Sequence, residues 1–112
     1  MGEDNWKVTQ RKQNRYLGGD GITAWRGQEG VDSYPRPYIA LESKHRKSRP
    51  SWLWDAMLQA QEGKTDNQIP IVMWHFFNEP MKDDIVCIRA EDFVRLLDMY
   101  DSTAVGVIHF DE

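Results

Sequence analysis

The stretch from Tyr38 to Lys44 constrains this chain most, because it ends an apolar run with an acid and a base two residues apart. Alternate residues of a β-strand point to the same face. We therefore expect Glu42 and Lys44 to project together, with Ser43 facing the other way. Such a pair is either a plain ion pair or half of a metal-dependent phosphodiester-cleaving site, where a carboxylate holds Mg²⁺ and a lysine steadies water or phosphate. The pattern alone leaves both readings open.

The length of 112 residues predicts a single domain over 1–112, large enough to bury a core. Cys87 is the one cysteine, so no disulfide can form within the chain. No run approaches the roughly 18 apolar residues of a membrane span, and the N-terminus carries no signal-peptide pattern. These features predict a cytoplasmic protein without a membrane partner.

The net charge of −4 hides an asymmetry between the two halves of the chain. Residues 1–50 carry ten Lys and Arg against six Asp and Glu, a balance of +4. Residues 51–112 carry four against twelve, a balance of −8. A polyanion would meet one basic half, although a solvated charged surface explains the same numbers.

The order of apolar patterns predicts an α/β fold with a central mixed β-sheet flanked by helices. The first helix is expected to have a narrow apolar face containing Trp6, Val8, Tyr16 and Leu17, and to end at Gly18. Helices are predicted at 4–17, 51–62 and 91–99, strands at 22–25, 38–44, 69–77, 84–89 and 104–110, and turns at 27–37.

The two most apolar segments are expected to be buried. The helix at 51–62 has apolar residues on more than one face, which predicts packing against its own sheet and against either more core or a second subunit. Trp52 and Trp54 are therefore expected to pack rather than to stack on bases. The strand at 69–77 is apolar throughout and predicts a central strand covered on both faces, with His75 inside the core.

Several chemistries are disfavoured by the residue pattern. Three histidines and one cysteine are scattered and do not form a zinc-binding pattern. No glycine-rich phosphate loop precedes a helix, and no serine lies in a nucleophile-elbow context. Acyl transfer and nucleotide hydrolysis are therefore not expected.

The remaining candidate centre consists of Asp32, Glu42 and Lys44. Two carboxylates and the Ser43 carbonyl are oxygen ligands of the kind that Mg²⁺ takes. Lys44 would orient water or offset charge in the transition state. The basic residues that follow the motif would hold flanking phosphates. Because an acid and a lysine two residues apart occur often by chance, the spacing alone does not establish a site.

The longer pattern resembles the PD-(D/E)xK nucleases, and in particular the small archaeal-type and bacteriophage Holliday junction resolvases. The resemblance lies in Asp32, Ala-Leu-Glu-Ser-Lys-His-Arg at 40–46, Pro-Ser-Trp-Leu at 50–53 and Ala-Met-Leu-Gln-Ala at 56–60, and continues through Pro-Ile-Val at 70–72, His75 and Asp-Ile-Val at 84–86. It covers most of residues 6–97. The acid-x-Lys motif is widespread among nucleases, whereas the longer string is more specific to the junction-resolving group.

The resemblance implies a homodimeric endonuclease of a bacterial or phage-infected cell. It would nick four-way DNA junctions in pairs with Mg²⁺, for which Mn²⁺ would substitute. Asp32 and Glu42, with the Ser43 carbonyl, would bind the metal, Lys44 would be catalytic and Gln59 would support the site. The candidate DNA-binding residues are Arg11, Lys12, Arg15, Arg26, His45, Arg46, Lys47 and Arg49.

The chain departs from the family pattern at two places. The usual metal-binding glutamate of the first helix is absent, so Glu3, Asp4 or the Gln10 amide would take its role, or the site is weakened. Val31 also stands where the family has proline before Asp32. Two alternatives therefore stay open: a nuclease of the same fold acting on another DNA, such as a nicking or end-processing enzyme, and a non-catalytic DNA-binding module.

Overall fold

The computed structural model describes residues 2–22 and 31–110, with side chains for 7–22 and 31–103. The chain divides into two compact units, Met1–Lys47 and Ser48–Glu112. The described residues form three α-helices and two small antiparallel sheets, which confirms a mixed α/β architecture. The prediction of a single domain depends on how the two units combine, and it stays a prediction.

The first unit begins with helix α1, Gly2–Tyr16. The sequence predicted this helix at 4–17 and its end at Gly18, and both are confirmed within two residues. Gly18 has a φ of 106°, a left-handed conformation that favours glycine. The Gly18 and Gly19 amides donate to the Arg15 and Asn14 carbonyls at 3.0 and 2.9 Å, which is a Schellman motif.

A hairpin of strands β1, Ser33–Arg36, and β2, Ile39–Leu41, completes the first unit. The two strands pair antiparallel, with Ser33 opposite Leu41, Arg36 opposite Ile39 and an irregular register between them. The prediction of turn structure throughout 27–37 was wrong for β1. Pro35 suggested a turn, but a strand that pairs on one side only tolerates proline.

The inward face of α1 also differs from the expected apolar face. Val8 and Tyr16 are 38% and 55% exposed, whereas Gln10 and Asn14 are buried beside Leu17. The Asn14 Oδ1 accepts a 2.7 Å hydrogen bond from the Gly21 amide, and the Arg36 Nε donates to the Leu17 carbonyl at 2.8 Å. Hydrogen bonds that satisfy buried polar groups therefore hold α1 to the following loop and to β1.

The second unit contains α2, Ser51–Gly63, β3, Ile71–Trp74, a short 3₁₀ helix, Met81–Asp83, β4, Ile85–Ile88, and α3, Ala90–Phe110. Strands β3 and β4 pair antiparallel in continuous register, from Ile71 opposite Ile88 to Trp74 opposite Ile85. The predicted helix at 51–62 and the predicted strand at 84–89 are confirmed. One face of this hairpin packs on α2, where the Trp52 and Trp74 rings meet edge to face with centroids 4.8 Å apart.

Three sequence expectations fail in the second unit. The central strand at 69–77 is a four-residue strand whose Ile71 and Met73 are about half exposed, because its described sheet has two strands and one open face. Within α2, Met57 is the buried residue and Trp52 is 47% exposed, so burial on two sides by the chain's own core is not observed, while packing against a second subunit stays a prediction. The predicted strand at 104–110 is wrong, because α3 continues through this segment to Phe110, past Gly106.

The described strands also do not form the expected central mixed sheet. Each strand pairs with its neighbour in the sequence across a short connection, which produces one antiparallel hairpin in each unit. The strand expected at 22–25 falls mostly outside the described residues, and Ile22 is not part of a strand. No helix in the described part of the chain has the length and hydropathy needed to cross a membrane.

Candidate functional site

The β1–β2 hairpin brings Asp32 to the acid-x-Lys segment. Asp32 directly precedes β1 and Glu42 directly follows β2, and the two ends of an antiparallel hairpin lie side by side. The Asp32 amide donates to the Leu41 carbonyl at 2.9 Å, and the Asp32 Oδ2 accepts from the Ser43 amide at 2.7 Å. The carboxylate thus continues the hairpin ladder beyond the last strand pair.

The Glu42 and Lys44 side chains contact each other, although both residues follow β2, which ends at Leu41, so the predicted strand at 38–44 is too long. The Lys44 Nζ is 3.2 Å from the Glu42 Oε2, and the two side chains are 62% and 48% exposed. Ser43, between them, is buried at 3% exposure. An ion pair this exposed contributes at most about 1 kcal/mol to folding. The pair is therefore held weakly and stays accessible to a ligand.

The first unit contains buried polar atoms without a hydrogen-bond partner. Ser33 is opposite Leu41 in the hairpin, Ser43 follows two residues after Leu41, and both serines are buried. Among the described residues, the buried Oγ atoms of Ser33 and Ser43 and the Oε1 of Gln13 have no partner. A buried polar atom without a partner costs about 1–3 kcal/mol, and such atoms often mark functional sites.

Helix α1 lies beside the end of the motif. The Thr9 Oγ1 and the His45 Nδ1 are 3.5 Å apart, at the limit of a hydrogen bond. Gln10 follows Thr9 and is buried, and its role as a metal ligand stays a prediction. The side chains of Glu3 and Asp4, the other two candidates, lie outside the described residues.

The hairpin carries the kind of oxygen ligand, a carboxylate, that Mg²⁺ prefers. Mg²⁺ is usually held by one or two carboxylates and keeps several waters, and Asp32 and Glu42 supply two carboxylates. One oxygen of each is engaged, with the Ser43 amide and with the Lys44 ammonium. In the part of the chain that the structure describes, no group of three or more His, Cys, Asp or Glu is arranged to hold a metal. The residues at the hairpin thus offer two carboxylates, and water would have to supply the remaining ligands.

Most of the candidate DNA-binding residues occupy the first unit and are exposed: Arg11, Lys12 and Arg15 on α1, and His45, Arg46 and Lys47 after the motif. Arg11 and Arg15 are four residues apart and share one face of α1. Arg26 lies outside the described residues. Arg49 and Gln59 belong to the second unit, where Gln59 is an exposed residue of α2. Their relation to the hairpin site stays a prediction.

The structure adds a histidine–aspartate pair that the sequence reasoning missed. The His75 Nδ1 is 2.7 Å from the Asp84 Oδ1, and the two side chains are 46% and 3% exposed. The placement of His75 in the core was therefore wrong, because Asp84 is the buried partner. The sequence contained a signal for this contact. His75 directly follows β3 and Asp84 directly precedes β4, and pairing of the two strands brings these residues together.

Comparisons of the chain with protein-family models, with curated protein sequences and with solved structures find no match.

Proposed function

We propose that this chain is a Mg²⁺-dependent DNA endonuclease of the PD-(D/E)xK type, which resolves four-way junctions by paired nicks as a homodimer. The observation that carries the proposal is the hairpin that joins Asp32 to the acid-x-Lys segment through the 2.7 Å bond to the Ser43 amide. A nuclease of this type depends on a separate upstream acid that lies close to the acid-x-Lys pair. The hairpin supports such an arrangement of Asp32 with Glu42 and Lys44.

The chemistry follows from the charges at the hairpin. When bound by Asp32 and Glu42, Mg²⁺ would neutralise negative charge on the scissile phosphate and make a water molecule more acidic. Lys44 is weakly paired and half exposed, so its ammonium can move from the Glu42 carboxylate to a phosphate oxygen. There it would offset the charge that develops in the transition state.

The basic residues of the first unit would position the DNA. Arg11 and Arg15 on α1 and Arg46 and Lys47 after the motif are exposed and suit contacts with backbone phosphates. Such contacts carry no sequence information. Selectivity for a junction would come from the fixed spacing of two sites in a symmetric dimer.

A second candidate function is DNA binding without cleavage. The Asp32 Oδ2 accepts the Ser43 amide, which gives this carboxylate a structural role in the hairpin. The described side chains of α1, from Lys7 to Tyr16, contain no acid. These two observations favour a site whose affinity for Mg²⁺ is reduced while its basic surface is retained.

The deciding experiment compares a synthetic four-way junction with linear duplex, in Mg²⁺, in Mn²⁺ and in chelator. The variant is Lys44→Ala, and the matched control is Lys82→Ala, which removes an 80% exposed lysine of the second unit. Paired nicks on the junction alone, lost in chelator and in Lys44→Ala, would support resolution. Cutting of both DNAs would indicate another nuclease of this kind, and binding without cutting would favour the second candidate.

A further inference from the structure

The second unit contains a cavity that is lined by residues of this unit. It has a volume of about 330 Å³ and lies between α2, the end of β4 and the first residue of α3. Ligand pockets in proteins start at about 300 Å³, so this cavity suits a small ligand or one unit of a polymer. No sequence pattern indicated it, because its walls come from three separate segments.

The interior of the cavity is mainly apolar. Leu53 and Met57 are one helical turn apart on α2 and line one wall, and Ile88 at the end of β4 lines another. Met57 is among the most buried hydrophobic residues described. These walls favour a ligand with an apolar or flat aromatic body over a fully hydrated ion.

Two arginines also line the cavity. The Cζ of Arg49 lies 3.6 Å from the centre of the Trp54 ring, a cation–π contact that fixes the guanidinium plane. Arg89 directly precedes α3, and its contact with the exposed Glu91 is a long 3.5 Å. Arg49 has no carboxylate partner among the described residues. The cavity rim therefore carries more positive than negative charge.

We propose that this cavity binds a nucleoside monophosphate unit, with the phosphate on the two arginines and the base against the apolar walls. A guanidinium group can donate two parallel hydrogen bonds to two oxygens of one phosphate. A base gains contact area from Leu53 and Ile88, which are only partly buried. The same chemistry is offered by a free nucleotide and by one nucleotide of a single DNA strand. The proposal does not depend on cleavage at Glu42 and Lys44.

The test follows the NMR resonance of the Trp54 indole N–H group. The resonance is identified because it is absent from the spectrum of Trp54→Phe. The buffer contains chelator so that no DNA is cut. The probes are the deoxynucleoside monophosphates, the deoxynucleosides, inorganic phosphate, a single-stranded tetranucleotide and decanoate. We expect a nucleotide probe to shift the resonance, while deoxynucleosides and phosphate alone bind at least tenfold more weakly. Equal affinity for mononucleotide and tetranucleotide would identify a free nucleotide as the ligand. Binding of the tetranucleotide alone would identify a DNA strand.

The variants distinguish binding in the cavity from nonspecific attraction by positive surface charge. Arg49→Gln with Arg89→Gln should weaken nucleotide binding at least tenfold. Arg95→Gln is the matched control, because Arg95 pairs with Asp92 at 3.3 Å and does not line the cavity. An unmoved Trp54 resonance with every nucleotide probe, undiminished binding in the double variant, or a response to decanoate alone would overturn the proposal.

Discussion

Replacing Asp32 separates its structural role from its proposed catalytic one. Asp32→Ala removes the acceptor of the 2.7 Å bond from the Ser43 amide, which is part-buried. Hydrogen bonds to charged groups contribute about 1.5–3 kcal/mol, and partial exposure places this bond near the lower end. We therefore expect the free energy of unfolding to fall by about 1.5 kcal/mol. Asp32→Asn keeps a side-chain oxygen that can accept the bond, so we expect a loss of about 0.5 kcal/mol.

Urea unfolding followed by tryptophan fluorescence measures both variants. The matched control is Asp20→Ala, since the Asp20 Oδ1 accepts an exposed, local bond from the Ile22 amide at 3.0 Å. Its removal should change stability by less than about 0.5 kcal/mol. Equal stability of Asp32→Ala and the wild type would refute the structural role, as would equal losses in the Ala and Asn variants.

Cleavage by the same two variants tests the proposed metal site. The neutral amide of Asp32→Asn is a poor substitute for a carboxylate that binds Mg²⁺. Under the proposed function this variant should keep its fold and its junction binding while it stops cutting. Cutting by Asp32→Asn at the wild-type rate would exclude Asp32 from metal binding, whatever its effect on stability.

Three further predictions concern other residues. Glu42→Gln should abolish cutting and leave junction binding unchanged or tighter, because a negative charge near the phosphate is removed; a gel-shift and nicking assay checks both. Arg46→Ala should weaken binding to any DNA and reduce the slope of log affinity against log salt by about 1, and an unchanged slope would exclude a phosphate contact. His75→Ala should cost about 1–3 kcal/mol in urea unfolding, because it removes the 2.7 Å partner of the buried Asp84 carboxylate. The milder His75→Asn, measured beside it, should recover part of the loss.

The sequence predicted best where the information was local. The end of the first helix at Gly18 and the helix at 51–62 depend on residues a few positions apart, and the structure confirms both. The contact of Glu42 with Lys44 is also local, although the strand that was expected to carry both residues ends at Leu41. The grouping of Asp32 with this motif was expected from its residue type and from the resemblance, without a structural reason for their contact. In the structure it depends on the β1–β2 register, which Pro35 concealed by suggesting a turn.

The sequence predicted least where burial depends on partners. An apolar run such as 69–77 shows what a segment can bury, but the layers that pack on the two faces of its sheet decide what it does bury. Met73 of β3 is 53% exposed, so its face of the described sheet is not fully covered. The cavity beside Trp54 was missed for a related reason, because its arginines precede two different helices and only packing brings them together.

Helix α1 shows why the reasoning from hydrophobic pattern failed beside the candidate site. The pattern assumed an apolar inward face, yet the helix buries Gln10 and Asn14 and leaves Tyr16 exposed. The hairpin also buries Ser33 and Ser43, whose hydroxyls have no hydrogen-bond partner among the described residues. Buried polar groups are costly unless paired, so an interior that keeps several of them gives up stability. Polar groups retained at this cost in the unit that carries Glu42 and Lys44 are the arrangement expected where charged ligands must be held and oriented.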